Sequence, residues 1–328
     1  KKFELYGYSF GNNIQDEMQT KCKKIFKFFK NIKLMPDDEV LQLVNNDQID
    51  IAIDLKGYTQ NHRASLFFKK LAPIQINFLG YPGTMGSNMI DYIIADKHII
   101  PDNHKKYYSE KVLYLPHTYQ PTNNKRKISK KKFTKIECHL PKDSFVFCCF
   151  NNNYKITNIE FKIWMKLLKK VPNSVLWLIK SNEYVEKNIK GHAFDYGVEP
   201  ERIIFAEFLA NDEHLSRHSC ADLFLDTFNY NAHTTACDSL WAGLPVITKI
   251  GNGFASRVSS SLLCAINLPE LVTKTNEEYE SLAYSLACNP KKLTRIKEKL
   301  KKNIPSSNLF NTEKFTKDYE DLLEGTLM

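Results

Sequence analysis

The sequence predicts an α/β protein with two doubly wound lobes, each built on a parallel β-sheet, facing a cleft, and with helices at its C-terminal end. Apolar runs rich in branched and aromatic residues alternate with amphipathic helical patterns, and a basic stretch interrupts the alternation once. The chain has 328 residues, more than one hydrophobic core usually contains. We therefore expect an N-terminal lobe over residues 1–120, a basic linker over 121–135 and a C-terminal lobe over 136–328.

The N-terminal lobe is predicted from strand patterns that are separated by helical patterns. The strand patterns are KFELYGYSF, QIDIAIDL, IQINFLG, YIIAD and KVLYLP. The helical patterns are IQDEMQTKCKKIFKFF and RASLFFKKL. Parallel strands need crossover connections of this kind, so we expect a parallel sheet.

The linker, QPTNNKRKISKKKFTK at residues 120–135, contains seven basic residues and no acidic residue. A charge run of this kind binds nucleic acid or a membrane surface in some proteins. Because its charges are not interleaved with aromatic residues, a solvated linker is the favoured interpretation. A nucleic-acid binder is kept as a remote alternative, and we expect neither nucleic acid nor a membrane as a partner.

The C-terminal lobe shows the same alternation. Its strand patterns are SFVFCCF, SVLWLIK, RIIFAEF, ADLFLD and LPVITKI, and its helical patterns cover residues 157–170, 183–196, 211–220 and 234–242. Near-continuous apolar strands are typical of a parallel sheet covered by helices on both faces. From residue 275 onward only helical patterns follow, and we expect the last of them to pack back across the first lobe.

Composition narrows the class of protein. The excess of 46 Lys and Arg over 37 Asp and Glu favours an anionic partner without specifying which one. No apolar run has the length of a membrane span. The eight cysteines show no zinc-ligand or disulfide spacing, which favours a reducing, cytoplasmic location. The opening KKFELYGYSF has no signal region, and we expect it to lie inside a longer polypeptide.

The stretch NYNAHTTACDSLWAGLPVIT, residues 229–248, predicts an anion site. Ligands of open α/β sheets bind beyond the carboxyl ends of the strands. There His233, Thr234 and Thr235 form the first turn of a helix, whose unpaired N–H groups suit a phosphate or diphosphate. Asp238 is then placed to accept hydrogen bonds from sugar hydroxyls. A helix with an ordinary Thr cap and a hydrogen-bonded His explains the same pattern.

Two further strand ends carry candidate groups. In CCFNNNYKI, residues 148–156, the side-chain amides at 151–153 suit a sugar or phosphate, and Lys155 suits the charge on a departing diphosphate. A solvated loop lysine is the alternative. In FLANDEHLSRHSCADL, residues 208–223, His214 and Arg217 share one helix face. That face and the preceding backbone suit a nucleotide base, with an ordinary surface helix as the alternative.

Glycine-rich loops follow two strands of the N-terminal lobe, at residues 54–63 and 78–96. Glycines at strand ends allow a ligand close to the backbone, or make tight turns. The residues expected to line the acceptor and sugar side of the cleft are Tyr58, Arg63, Gly80, Tyr81, Gly83 and Thr84.

Taken together, these segments resemble the catalytic region of the O-GlcNAc transferase and SPINDLY family of protein O-glycosyltransferases. The resemblance rests on GYTQNHRASLFFKKLAPIQINFLGYPGTMGSNMIDYIIAD, VLYLPHTY, FNNNYKI, VPNSVLWLIK, RIIFAEF, HTTACDSLWAGLPVIT and ASRVSSSLL, in this order. It implies the two-lobed GT-B fold and inverting transfer from a nucleotide sugar to Ser or Thr hydroxyls of intracellular proteins. It also implies that no metal or other cofactor is needed and that tetratricopeptide repeats precede this region.

The resemblance also implies roles for single residues. Lys155 corresponds to the lysine that contacts the diphosphate and assists its departure, Asp238 to the ribose ligand and His214 to the imidazole beside uracil. The remaining nucleotide-sugar residues are Asn152, Leu209, Ala210, Asn211, Arg217, His233, Thr234 and Thr235. Asn152 and Asn211 stand where the animal enzymes carry Gln and Lys, which affects the contacts to the donor.

We therefore expect transfer of N-acetylglucosamine from UDP-GlcNAc to protein Ser or Thr. One alternative is a SPINDLY-type O-fucosyltransferase that uses GDP-fucose, and another is a truncated, non-catalytic nucleotide-binding scaffold. The family's His-containing segment near the acceptor hydroxyl precedes the part that matches KKFELYGYSF. We accordingly expect the chain by itself to be an incomplete catalyst.

Overall fold

The computed structural model describes residues 2–12 and 16–327. Contacts between Cα atoms divide the chain into two compact units. The first unit contains residues up to 95, 100–115 and 316 onward, and the second contains 96–99 and 116–315. The sequence predicts a linker that belongs to neither lobe and a C-terminal end that belongs wholly to the second lobe. In the structure the linker groups with the second unit, and the last helix from residue 316 groups with the first.

The first unit contains two parallel sheets rather than one. A two-stranded sheet pairs β1 (Tyr6–Ser9) with β2 (Phe28–Asn31). A four-stranded sheet follows in chain order, made of β3 (Ile51–Asp54), β4 (Ile74–Asn77), β5 (Tyr92–Ala95) and β6 (Lys111–Tyr114). The helices of this part of the chain are α1 (Glu17–Ile25), α2 (Asp37–Asn46) and α3 (Ala64–Phe68). The predicted parallel pairing is confirmed.

The helix predicted over IQDEMQTKCKKIFKFF is wrong at its end, and its first two residues lie outside the described part of the chain. Helix α1 ends at Ile25, and the backbone of Phe26 is extended. The following aromatic residues favour a strand, and the ring centroids of Phe28 and Tyr6 lie 4.9 Å apart across β1 and β2. Aromatic pairing between strands therefore prevails over the helical pattern.

The second unit contains one parallel sheet of six strands. The strands are β7 (Phe145–Cys149), β8 (Ser174–Ile179), β9 (Ile203–Ala206), β10 (Leu223–Leu225), β11 (Val246–Lys249) and β12 (Val272–Thr273). Their order is β12-β11-β10-β7-β8-β9. The chain therefore begins in the middle of the sheet, extends it to one edge and returns to extend the other. The direction reverses between β7 and β10, which makes this pair the topological switch point where doubly wound sheets bind ligands.

Helices on both faces cover the sheet of the second unit. They are α4 (Asn158–Lys170), α5 (Glu183–Asp195), α6 (Asn211–Arg217), α7 (Thr234–Trp241) and α8 (Val258–Ala265). All but α8 were predicted. The missed helix is rich in serine, whose buried hydroxyls hydrogen-bond, as in the 2.7 Å bond that Ser259 donates to the carbonyl of Ala232.

Helices alone form the C-terminal end of the described chain beyond β12, as predicted. They are α9 (Asn276–Cys288), α10 (Pro290–Asn303) and α11 (Thr312–Leu327). The ring of Tyr319 on α11 lies 5.2 Å from that of Phe78 in the first unit, so the expected return of the last helix to the first lobe is confirmed. No helix among the described residues is both long and apolar enough to cross a bilayer.

Candidate functional site

The switch point of the second unit brings the main candidate segments together. Strands β7 and β10 are direct neighbours, so the loops that follow them, which carry Lys155 and His233, leave the same edge of the sheet. Strand β9 ends at this edge too and leads into α6, the helix that carries His214. The three segments that the sequence analysis singled out separately thus share the carboxyl end of one parallel sheet.

Lys155 lies in a short 3₁₀ turn after β7 and is half-buried. Its ammonium group donates a 3.1 Å hydrogen bond to the carbonyl of Asn231 and lies 4.0 Å from the ring centroid of Tyr230. Burial lowers the pKa of Lys155, and the nearby Asp226 opposes this change. A lysine ammonium has three N–H donors, so the bond to Asn231 leaves donor capacity for an anion.

The carboxylate of Asp226 stabilises the loop between β10 and α7 by hydrogen bonds. This residue is not among those predicted from the sequence. Its Oδ1 accepts bonds of 2.9 Å from the N–H of Thr227 and 2.6 Å from the N–H of Ala232, and its Oδ2 accepts one of 2.7 Å from Thr248. The side chain is fully buried, and burial raises the pKa of its carboxyl to about 6. An acid directly after an apolar strand is the sequence signal for this residue.

His233 occupies the position before α7 and is held as a neutral ring. The ring stacks on Tyr230 at 4.7 Å, and its Nε2 lies 3.2 Å from the carbonyl of Ala255. Burial, helped by the charge of Lys155, lowers the pKa of His233 to about 3. Because a carbonyl oxygen only accepts hydrogen bonds, the proton of the neutral ring sits on Nε2, which donates a hydrogen bond to the carbonyl of Ala255. The imidazole of His233 therefore uses this N–H within the protein.

The start of α7 has no side-chain cap. The backbone of His233 takes the cap position, and no hydrogen bond from its side chain to the helix amides is present in this described segment. Thr234 is exposed, while Thr235 donates its hydroxyl hydrogen to the side-chain oxygen of Asn151. The ordinary Thr cap considered as an alternative is therefore absent from this helix. Its first amides keep the unpaired N–H groups and positive dipole end that attract an anion.

The three asparagines after β7 differ in their surroundings. Asn151 is buried and donates to Thr227 at 2.8 Å, and Asn153 donates to the carbonyl of Ile179 at 3.1 Å. Asn152 is exposed, and its amide lies 3.5 Å from the hydroxyl of Tyr154. Of the three side-chain amides, that of Asn152 is thus the most accessible to a ligand.

His214 and Arg217 form a pair on α6. The Nε and Nη2 atoms of Arg217 lie 3.0 and 2.6 Å from Nδ1 of His214. Because a guanidinium only donates, Nδ1 accepts and the proton of the neutral imidazole sits on Nε2. Burial lowers the pKa of His214 to about 3. Arg217 is 2% exposed, so in this structure it orients His214 instead of presenting its own charge to a ligand.

The backbone expected beside the base lies in the connection from β9 to α6. Ala210 and Asn211 are exposed, and Leu209 is half-buried. The carbonyl of Ala210 accepts the first bond of the helix, from the N–H of His214 at 2.8 Å. Asn211 lies three residues before His214, and the connection is open to solvent, as a segment that contacts a nucleotide base must be.

Asp238 lies one turn into α7 and is paired with a residue of the predicted linker. Its Oδ1 accepts a hydrogen bond from Nη1 of Arg126. The carboxylate is 8% exposed, and burial raises the pKa of Asp238 although the charge of Arg126 opposes this. The role of Arg126 is not predictable from the sequence, because it is one of seven basic residues in the linker.

The side chain of Arg63 forms hydrogen bonds and an ion pair with other residues of the first unit. Its guanidinium donates to the carbonyls of Ile32 at 2.8 Å and Met35 at 2.9 Å and forms an ion pair with Asp37. Arg63 was expected to line the acceptor and sugar side of the cleft, and its guanidinium is bonded within the first unit in this structure. It ties the start of α3 to the segment that connects β2 and α2.

The other residues of the first unit that were predicted to line the cleft lie on two loops that contact each other. Tyr58 donates to the carbonyl of Met85 at 2.8 Å, and its ring meets that of Tyr81 edge-on at 5.4 Å. A Cβ on Gly80 would lie 1.9 Å from the carbonyl oxygen of Leu55, so only glycine fits there.

The far end of the same loop is also held by hydrogen bonds. The carbonyl of Gly83 accepts a 2.9 Å bond from the side chain of Asn77, and Thr84 donates to Glu110 at 2.6 Å. The tight-turn explanation therefore accounts for much of this segment.

The sequence matches the profile of glycosyl transferase family 41 over residues 1–133 and 123–319. The chain belongs to this family. A mutant of the O-GlcNAc transferase of Thermobaculum terrenum has a similar structure, with a TM-score of 0.90 and 29% sequence identity over 97% of this chain and 60% of that one. The predicted GT-B fold is thereby confirmed.

Two plant members are similar in sequence. The protein named probable UDP-N-acetylglucosamine–peptide N-acetylglucosaminyltransferase SEC, from Arabidopsis thaliana, is 36% identical over 97% of this chain and 33% of its own length. The protein named probable UDP-N-acetylglucosamine–peptide N-acetylglucosaminyltransferase SPINDLY, from Solanum lycopersicum, is 30% identical over 94% of this chain and 33% of its own length. The chain thus spans about a third of these relatives.

Proposed function

We propose that this chain is the catalytic region of an inverting glycosyltransferase that moves N-acetylglucosamine from UDP-GlcNAc to Ser or Thr hydroxyls of proteins. The observation that carries the proposal is the uncapped start of α7 beside Lys155 at the switch point of the second unit. The names of the relatives from Arabidopsis and Thermobaculum support the choice of sugar and reaction.

The proposed reaction breaks the bond between the anomeric carbon and the β-phosphate oxygen and forms a bond from that carbon to the acceptor oxygen, whose O–H bond breaks with release of the proton. Negative charge develops on the departing UDP. The ammonium of Lys155 and the first amides of α7 stabilise this charge from positions set before the reaction. These groups belong to the chain itself, and we propose that no metal ion or other cofactor takes part.

The nucleoside is proposed to bind across α6 and α7. The protonated Nε2 of His214 suits a carbonyl oxygen of the base, because Arg217 directs the lone pair of Nδ1 away from the ligand. The exposed backbone around Ala210 offers further groups to the base edge. Asp238 accepts a hydrogen bond from the ribose.

The partners and location of the whole protein belong to the same proposal. We propose protein acceptors, tetratricopeptide repeats elsewhere in the natural protein, and a cytoplasmic location. The relatives named as peptide transferases support the acceptor class.

Donor binding and transfer are measured separately to test the proposal. Calorimetric titration of the chain with UDP and GDP is expected to show tighter binding of UDP. The natural protein is then incubated with radiolabelled UDP-GlcNAc or GDP-fucose and protein acceptors, and label from UDP-GlcNAc is expected on Ser or Thr. Preference for GDP with transfer of fucose would establish the SPINDLY-type alternative. Binding of UDP without any transfer by the natural protein would establish the scaffold.

A further inference from the structure

The predicted linker is not a solvated tether along its whole length. Between residues 129 and 133 it lies along α6 and the turn that follows this helix. The N–H of Ser129 donates to the carbonyl of Asp212 at 3.0 Å, Ser216 donates to the carbonyl of Lys131, and the thiol of Cys220 lies 3.3 Å from the carbonyl of Phe133. Backbone and side-chain bonds therefore hold this segment against the helix that carries His214.

From this anchored segment Arg126 reaches α7. Its Nη1 pairs with Asp238, its Nη2 lies 3.4 Å from the carbonyl of Cys237, and its guanidinium carbon lies 5.8 Å from the ring centroid of Trp241. The side chains of Arg126 and Asp238 are 16% and 8% exposed. A pair this well shielded is screened much less than a surface ion pair.

The ionised state of the Asp238 carboxylate depends on Arg126. Its neighbour Cys237 is buried, and burial raises the pKa of that thiol to about 12, so the thiol is neutral. His218, in the turn directly after α6, is buried; burial and the charges of Arg217 and Arg126 lower its pKa to about 4, so it is neutral as well. Among the described residues, Arg126 is the cation that is bonded to Asp238. A buried carboxylate that loses its cation takes up a proton instead.

The pairing leaves one carboxylate oxygen for a ligand. Arg126 bonds Oδ1 of Asp238, and no hydrogen bond to Oδ2 is present within the part of the chain that the structure describes. An ionised carboxylate accepts hydrogen bonds at both oxygens, so Oδ2 remains an acceptor on the same helix as the proposed diphosphate site.

We propose that Arg126 is a positioning residue of the nucleotide site, which holds the Asp238 carboxylate ionised and directs its free oxygen at a ribose hydroxyl. The inference rests on the proposed function, because it takes the nucleotide to lie along α7. It adds a residue from the predicted linker, which belongs to the second unit, to the residues that recognise the donor. Loss of Arg126 thus acts on the ribose contact, through Asp238, instead of on the diphosphate.

The experiment measures how strongly the chain distinguishes UDP from its 2′-deoxy and 3′-deoxy analogues. A hydrogen bond to a charged group contributes about 1.5–3 kcal/mol, so the wild-type protein is expected to bind UDP at least about tenfold more tightly than one of the analogues. Arg126→Met and Asp238→Asn are each expected to reduce this ratio to below about threefold, and the double variant no further. Lys127→Met, which removes the same charge from an exposed neighbour, keeps the wild-type ratio.

The outcomes separate the inference from the proposed function. A wild-type protein that fails to bind UDP contradicts the proposed function. Tight binding of UDP with an undiminished ribose preference in Arg126→Met contradicts the inference alone. Arg126→Lys keeps the charge and is expected to recover part of the ratio. If Arg126→Met does not fold, Arg126→Lys takes its place in the test. A folded Arg126→Lys whose ratio is no higher than that of Asp238→Asn then overturns the inference.

A pH series distinguishes positioning from a general structural defect. Without Arg126 the pKa of Asp238 rises further, so the carboxyl stays protonated to a higher pH. The ribose preference of Arg126→Met is therefore expected to increase with pH, while that of the wild-type protein saturates at a lower pH. A preference in Arg126→Met that is equally low at every pH at which the protein is folded contradicts the positioning role.

Discussion

Lys155 is held between the carbonyl of Asn231 and the face of Tyr230. Both contacts favour its charged form, whereas burial opposes it. Such a cation already has its orientation before a ligand arrives, so little reorganisation is needed when charge develops on a leaving group. The residue therefore suits stabilisation of the transition state more than binding of the ground state.

Replacing Lys155 by Ala is expected to reduce sugar transfer by the natural protein by about 10²–10³-fold, the usual loss for one electrostatic donor. The affinity for UDP is expected to change only a few-fold, because the amides of α7 remain. Transfer assays and calorimetry measure the two quantities. Lys180→Ala is the matched control, because Lys180 follows the next strand, β8, but is exposed and paired with Glu207. Unchanged turnover in Lys155→Ala would refute its role.

Asp226 is expected to make stability depend on pH. Its pKa is about 6 in the folded state and about 3.9 when unfolded. Between these values the folded protein keeps a proton that the unfolded chain releases, so the free energy of unfolding falls by about 1.4 kcal/mol per pH unit as pH rises, and this contribution is constant above pH about 6.

Asp226→Asn lacks this contribution, so its stability relative to the wild-type protein is expected to improve by up to about 3 kcal/mol between pH about 4 and about 6. Urea unfolding at several pH values measures the difference. A stability difference that is independent of pH would show that Asp226 is not buried as an ionisable group.

Sequence reasoning at the level of single residues identifies local signals but not long-range pairs. The start of α7 at Thr234 and the strand-end position of Lys155 follow from local patterns. The pairing of Arg126 with Asp238 does not, because nothing local distinguishes this arginine from its basic neighbours. The engagement of Arg63 by carbonyls of the preceding segment was missed for the same reason.

Helix α4 connects the Lys155 turn to the core. It begins with a capping box in which Thr157 and Glu160 bond each other's backbone groups, and it buries Trp164 and Leu167, with the indole of Trp164 3.4 Å from the hydroxyl of Tyr279 on α9. The cap lies two residues after Lys155, so the geometry of this turn depends on where the helix begins. Helix α9 has an equivalent box, made by Thr275 and Glu278, away from the site.

Thr157→Ala and Thr275→Ala are each expected to lower the free energy of unfolding by about 1 kcal/mol, the usual cost of a lost N-cap. Only Thr157→Ala is expected to reduce sugar transfer as well, because it loosens the turn that carries Lys155. Denaturant unfolding and transfer assays on the two variants provide the comparison. Equal effects of both variants on transfer would argue against a link between this cap and the site.

Elements are predictable where their period is strong and the packing agrees with it. The five apolar strands β7 to β11 of the second unit, and helices such as α4, meet both conditions. The pattern was insufficient for β12, which has two residues, and for α8, whose serines conceal a buried helix. It was misleading at Phe28–Asn31, where pairing with β1 decides the conformation.

Buried imidazoles give the second unit a common response to acid. Burial lowers the pKa of His214 and His233 to about 3 and that of His218 to about 4. The unfolded chain takes up these protons below pH about 6.5 and the folded chain does not, so each His lowers stability by about 1.4 kcal/mol per pH unit as pH falls. The carboxyl of Asp226 opposes only part of this change.

His218→Gln is expected to reduce the loss of stability between pH about 6.5 and about 5 by the contribution of one proton, because it removes one buried imidazole. His192→Gln, at an exposed position, is the control and keeps the wild-type slope. Unfolding free energies at several pH values provide the test. The same slope in all three proteins would contradict the assignment of His218 as neutral and buried.

The proposed function of the chain depends on where a diphosphate binds. The strand order places the Lys155 turn and the start of α7 at one switch point, and the proposed function takes a nucleotide sugar as the ligand there. The most direct test is a crystal structure of the chain soaked with UDP-GlcNAc. We expect diphosphate oxygens within about 3.2 Å of the amides of Thr234 and Thr235 and of the ammonium of Lys155. A nucleotide bound elsewhere, with these groups in contact only with water, would contradict the account.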